Sequence, residues 1–104
     1  MSHNKEYENL LFAYYGNLLT NKQSSVLKDY LEYDYSMFEI AENYKVSKSA
    51  ISDIINRALI SLNDYEDKLH MIKQSNELDK LINEMEKENI DIKYIKKLRK
   101  INRG

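Results

Sequence analysis

The chain has 104 residues, enough for one domain with a modest core. Hydrophobic residues make up 42% and charged residues 32%, a globular balance that excludes a disordered polymer. No run approaches the roughly 20 apolar residues of a membrane span, the absence of cysteine excludes disulfides and thiolate metal sites, and a net charge of −1 gives no overall pull towards nucleic acid.

Proline is absent, and Gly16 is the only glycine before the terminal Gly104. So little turn chemistry favours an all-α fold. The opening residues Met1-Ser2-His3-Asn4-Lys5-Glu6 lack the apolar core of a signal peptide, so a cytoplasmic protein is expected. Charge is uneven along the chain. From Asp91 to Gly104 six basic residues stand against one aspartate, a balance of +5, which leaves −6 on the first ninety residues.

In chain order, Tyr7, Leu10, Leu11, Tyr14 and Leu18 recur at helical steps and predict a first helix from about Asn4 to Leu18. Thr20-x-x-Gln23 is a capping-box pattern opening a second helix, with Val26, Leu27, Tyr30 and Leu31 on its apolar stripe. Tyr33-Asp34-Tyr35 is the break. Ser36-x-x-Glu39 repeats the capping box for a short helix through about Tyr44, and Ser47 can cap the next. A long helix follows, with Ile51, Ile55, Ala58, Leu62, Tyr65, Leu69 and Ile72 spaced as an unbroken heptad seam. That Ile51–Ile72 seam must pack against the chain's own last helix or a second copy, which makes a homodimer an expectation. The pattern loses phase at Gln74-Ser75-Asn76 and restarts at Leu78, Leu81, Ile82 and Met85. Asn89 is read as the end of that helix. Asp91 can cap a final one, with Ile92, Ile95, Leu98 and Ile101 inward and the basic residues outward.

The whole is read as a single domain, 1–104, with a helix-turn-helix core at 36–60 and a helical extension with a basic tail at 76–104. A helix-turn-helix needs two short elements joined by a tight turn, a small residue where they cross and apolar residues in the wedge. Ala41 is the small residue, and Ile40, Tyr44, Val46, Ile51 and Ile54 fall at wedge positions. The turn position that glycine usually takes is Lys45. A left-handed backbone there costs a non-glycine residue about 1–2 kcal/mol.

Leu18-Leu19-Thr20-Asn21-Lys22-Gln23, the Ser36–Val46 stretch, Ser47-x-x-Ala50-Ile51 and Arg57-Ala58 together resemble the fourth region of bacterial sigma factors. The similarity is closer to the YlxM family, small stand-alone proteins of that architecture. Two features carry it: a first helix ending in Tyr-Tyr-x-x-Leu-Leu-Thr, and the segment Asp64-Tyr65-Glu66-x-Lys68-Leu69. The likeness covers roughly Tyr7 to Ile72. It implies a DNA-binding regulator or accessory protein, linked to the signal recognition particle whose GTPase is encoded beside such proteins.

If the motif reads DNA, the exposed start of its second helix enters the major groove. The candidate residues are Ser47, Lys48, Ser49, Ser52, Asn56 and Arg57. Lys48 and Arg57 suit phosphate or guanine, Asn56 suits adenine, and serines bond bases or backbone. Asp53 would repel phosphate. From Ser36 to Ile60 three basic residues meet three acidic ones, so this unit alone should bind weakly. A second candidate surface is the basic final helix, where Lys93, Lys96, Lys97 and Lys100 share a face beside Tyr94. RNA is an open alternative ligand. So is a scaffold role, in which the helix pair contacts the particle's GTPase or another protein. Five tyrosines, Tyr7, Tyr14, Tyr30, Tyr44 and Tyr65, fall at apolar-stripe positions and read as core. Catalysis is disfavoured. His3 and His70 stand alone, there is no phosphate-cradling glycine loop, and the Glu84–Glu88 run lacks the ligand spacing of a calcium loop, so neither a metal nor a cofactor is expected.

Overall fold

A computed structural model describes residues 4–103; Met1, Ser2, His3 and Gly104 lie outside them. The described residues form six α-helices and one 3-10 turn with short connections, and no strand occurs among them. They fall into two compact units, 1–69 and 70–104.

The first unit holds α1 (Lys5–Tyr15), α2 (Asn21–Leu31), α3 (Met37–Tyr44) and α4 (Lys48–Leu69). Its helix starts are set by side chains that satisfy backbone N–H groups no helix can satisfy internally. Asn4 accepts from the Tyr7 amide at 3.1 Å. Thr20 and Gln23 form a full capping box, and so do Ser36 and Glu39. Ser47 Oγ accepts from the Ala50 amide at 3.1 Å. All three caps expected from Thr20, Ser36 and Ser47 are therefore in place.

Helix α1 stops at Tyr15, and Gly16–Leu18 make a single 3-10 turn in place of the last helical turn expected. A Cβ on Gly16 would lie 3.0 Å from the Phe12 ring, which explains glycine at this close approach. The buried side of α1 also differs from expectation. Leu11, Tyr15 and Glu8 are buried, while Tyr7 and Leu10 are exposed. Tyr15 is inward because its hydroxyl donates to Glu66 Oε1 at 2.6 Å, a buried polar pair that an apolar-stripe reading assigns to the surface.

Helix α4 packs against α1, α2 and α3. Ile51, Ile55, Ala58 and Leu62 are at most 1% exposed, and Tyr65 Oη reaches the Leu18 carbonyl at 3.3 Å. The first half of the heptad seam is thus filled by the preceding three helices. Ile51, Ile55, Ala58 and Leu62 are therefore not available to a second copy, whereas Leu69 at the end of the helix is 48% exposed. The seam also does not run on in one helix. His70 adopts a left-handed conformation (φ 55°, ψ 27°) that ends α4.

The second unit is a helical pair, α5 (Met71–Lys87) and α6 (Ile92–Arg103), packed on each other. Helix α5 passes through Gln74-Ser75-Asn76 without interruption, so the loss of phase expected there is really the break at His70. Asn89 does end this helix region. It sits at φ 59°, with its own N–H bonded to the Glu86 carbonyl and that of Ile90 to Met85, the paired bonds of a Schellman cap. Asp91 caps α6 by accepting from the Lys93 amide at 3.0 Å. Ile95 and Leu98 turn inward as expected, but Ile92 and Ile101 are exposed. Three residues advance a helix by only about 300°, so four residues at steps of three fan across half its circumference. Asn102 takes the inward place, donating to the Ser75 carbonyl and to Asp79.

Candidate nucleic-acid interface

The crossing of α3 and α4 is built from its wedge. Ile40 and Ile51 are fully buried, Ala41 is 5% exposed, and Ile54 and Tyr44 are half-buried. The small side chain of Ala41 is what lets two helices approach closely at such a crossing. The Tyr44 hydroxyl is held by Ser25 at 2.6 Å, which ties α3 to α2. Val46 alone departs from the expected wedge, being partly exposed.

The turn keeps the usual helix-turn-helix geometry without glycine. Lys45 is left-handed (φ 56°, ψ 45°), its N–H bonds to the Glu42 carbonyl, and the Val46 N–H bonds to Ala41 at 3.1 Å. This is a complete Schellman motif. The conflict seen in the sequence is resolved as strain carried by Lys45, not as a different turn.

The turn aims the first two and a half turns of α4 outward. Lys48, Ser49, Asp53, Asn56 and Arg57 are exposed and Ser52 is half-exposed. Lys48, Ser52 and Asn56 follow one another at steps of four, so they form a single ridge. Ser47 stands at its start, with its hydroxyl engaged in capping. Arg57 closes an ion pair with Asp53, Nε to Oδ2 at 3.0 Å, both side chains well exposed. The sequence signal for that pair was the four-residue spacing. Not anticipated was Ile60, 62% exposed one turn beyond Asn56 on the same side. Asp64 and Asp67 follow, so the face suited to a polyanion ends near Arg57. Phe38 on α3, also 62% exposed, is a second surface residue that the wedge pattern gave no reason to single out.

The second candidate surface belongs to the other unit. Lys93, Lys96, Lys97 and Lys100 lie in the second unit, all exposed on α6. Among the described residues no group of acidic, histidine or cysteine side chains is placed to hold a metal ion, and no helix is long and apolar enough to cross a membrane.

The model of the UPF0122 family, described as "Putative helix-turn-helix protein, YlxM / p13 like", matches residues 2–101. The chain belongs to this family. It is 47% identical over 78 residues to a UPF0122 protein of Listeria welshimeri, covering 75% of this chain and 71% of that one. The UPF0122 protein YlxM of Bacillus subtilis is 42% identical over 77 residues, 74% of this chain and 70% of the relative. YofM of Lactococcus lactis is 39% identical over 94 residues, 89% and 85% of the two chains. The match to that last protein extends the family likeness well past Ile72, where the motif-based resemblance fades.

Proposed function

We propose that residues 36–60 are the reading head of a cytoplasmic DNA-binding regulator or accessory protein, with α4 entering the major groove by its N-terminal half. The observation that carries this is the geometry of the α3–Lys45–α4 unit, which leaves Lys48, Ser52 and Asn56 on one ridge beside Ser49 and Arg57. In this reading Asn56 pairs with adenine, Lys48 with guanine or phosphate, and Arg57 is released from Asp53 when a phosphate competes for it. The link to the signal recognition particle rests on the family resemblance. Basic and acidic residues balance in this unit, so affinity per copy is modest.

The test is binding to labelled fragments of the protein's own operon, with the particle's RNA as the parallel ligand, over a salt series. Lys48→Ala with Arg57→Ala should weaken operon binding by at least tenfold, since each good base contact contributes about 1–3 kcal/mol. Undiminished binding by that variant would remove α4 as the reading surface.

A second reading is favoured by the Asp53–Arg57 pair and by exposed Phe38 and Ile60, which suit a protein partner better than a phosphate backbone. Here the helix pair docks on the particle's GTPase. Co-purification of the GTPase free of nucleic acid, abolished by Phe38→Ala with Ile60→Ala, is its expected signature.

A further inference from the structure

The exposed face of α6 carries Lys96, Lys100, Lys93 and Lys97 in order around an arc of about 100°, with Ile92 at one edge and Ile101 and Tyr94 at the other. The opposite side, Ile95 and Leu98, packs against α5. Neighbouring charges are already committed. Arg99 is ion-paired with Glu86 and hydrogen-bonded to Asn83, and Asp91 is used as the helix cap. Among the described residues none of the four lysines is in an ion pair, although α5 beside them is rich in glutamate. Lys93 rests 5.0 Å from the centre of the Tyr94 ring, an aromatic contact that leaves its charge available. The helix-turn-helix is different: its positive charge is matched residue for residue by acid, and Arg57 is held by Asp53.

From this we propose that α6 is a second, separate docking surface, taking the sugar–phosphate backbone of duplex DNA without reading bases. Lys93 to Lys100 spans about 10.5 Å of helix, about three phosphate-to-phosphate steps and so about four phosphates on one strand. A bilayer surface fits less well. An interfacial helix needs a contiguous apolar face to enter the lipid, whereas here the lysines occupy the middle and the apolar residues stand at opposite edges. The proposal does not depend on α4 reading DNA. A chain whose helix-turn-helix contacts only protein would still bind duplex through α6.

The test uses the full chain, a mixed-sequence DNA duplex of about 24 base pairs, and fluorescence anisotropy at several salt concentrations. Counterion release gives a slope of about −0.9 per neutralised phosphate in log K against log salt. The quadruple variant Lys93→Gln, Lys96→Gln, Lys97→Gln, Lys100→Gln should therefore flatten the slope by about 3.6, and single variants by about 0.9 each. Lys48→Gln with Arg57→Gln should flatten it by at most about 1.8, so the two surfaces fail separately. The quadruple Lys→Arg variant keeps the charge and should keep the slope; helicity by circular dichroism checks that each variant folds. An unchanged slope in the quadruple glutamine variant overturns the proposal, as does a parent that does not bind duplex DNA. So does lysine-dependent binding to single-stranded RNA alone, or to phosphatidylserine-containing vesicles alone.

Discussion

Lys45 is where local preference and tertiary structure disagree most openly. Its left-handed backbone is fixed by two hydrogen bonds to Ala41 and Glu42, so the turn holds a conformation that lysine by itself disfavours. Lys45→Gly should stabilise the protein by about 0.5–1 kcal/mol once glycine's greater unfolded-state freedom is subtracted. In a thermal melt that is an increase of roughly 2–6 °C; a lower melting temperature would mean that the Lys45 side chain supports the turn in some other way. Tyr15 poses the opposite case, a polar atom placed where apolar contact was expected. Tyr15→Phe removes the 2.6 Å donor to a carboxylate only 8% exposed and should cost about 1–3 kcal/mol in urea unfolding. A loss under about 0.5 kcal/mol would show the bond to be unimportant. At this scale the caps were legible because a capping box is a local event, written in four consecutive residues. Glu8, Tyr15 and Glu66 were not, since a pair separated by 51 positions leaves no periodic trace. The ridge on α4 was legible from wedge spacing, yet what Arg57 does in the free protein required the Asp53 geometry.

At the scale of the helices, the seam on α4 shows what periodicity can and cannot say. The heptad phase marked a packed face at Ile51, Ile55, Ala58 and Leu62, but phase alone does not name the partner, and α1, α2 and α3 fill that part of it while Leu69 stays exposed. Nor does phase reveal a break. The step from Leu69 to Ile72 keeps heptad spacing across a left-handed His70, and histidine is not a residue whose presence signals a helix end. Leu62 gives the decisive measurement. It is fully buried within its own chain, so Leu62→Ala should lower unfolding free energy by about 2–5 kcal/mol, by the same amount at micromolar and at hundredfold higher protein concentration. If Leu62 sat in a dimer interface, the loss would depend on concentration, and sedimentation of the variant would show fewer dimers than the parent.

For the whole molecule, the two units are unequal in both charge and core. Residues 1–69 carry seven basic and eleven acidic side chains, and residues 70–104 carry nine and six, so the near-neutral total conceals a negative unit followed by a positive one. The first unit buries most of the large apolar residues. Among the described residues of the second, Ile72, Ile82 and Ile95 alone are buried below a tenth of their surface. A pair of helices in some 35 residues is below the size, about 40 residues, at which a core alone usually sustains a fold. Its own bonds are mostly polar and exposed: Arg99 to Glu86 and Asn83, and Asn102 to Asp79. Hydrogen exchange should therefore separate the units. Amides of α2 and of α4 from Ile51 to Leu62 should exchange only through global unfolding, while those of α5 and α6 should exchange through a local opening at least 100-fold more often, a difference of roughly 3 kcal/mol. A basic helix that opens easily by itself would be ordered by a bound polyanion, so adding duplex DNA should slow exchange in α6 more than in α4. Equal protection of the two units without ligand would contradict this, and would mean that the helical pair draws on stability its own packing does not supply.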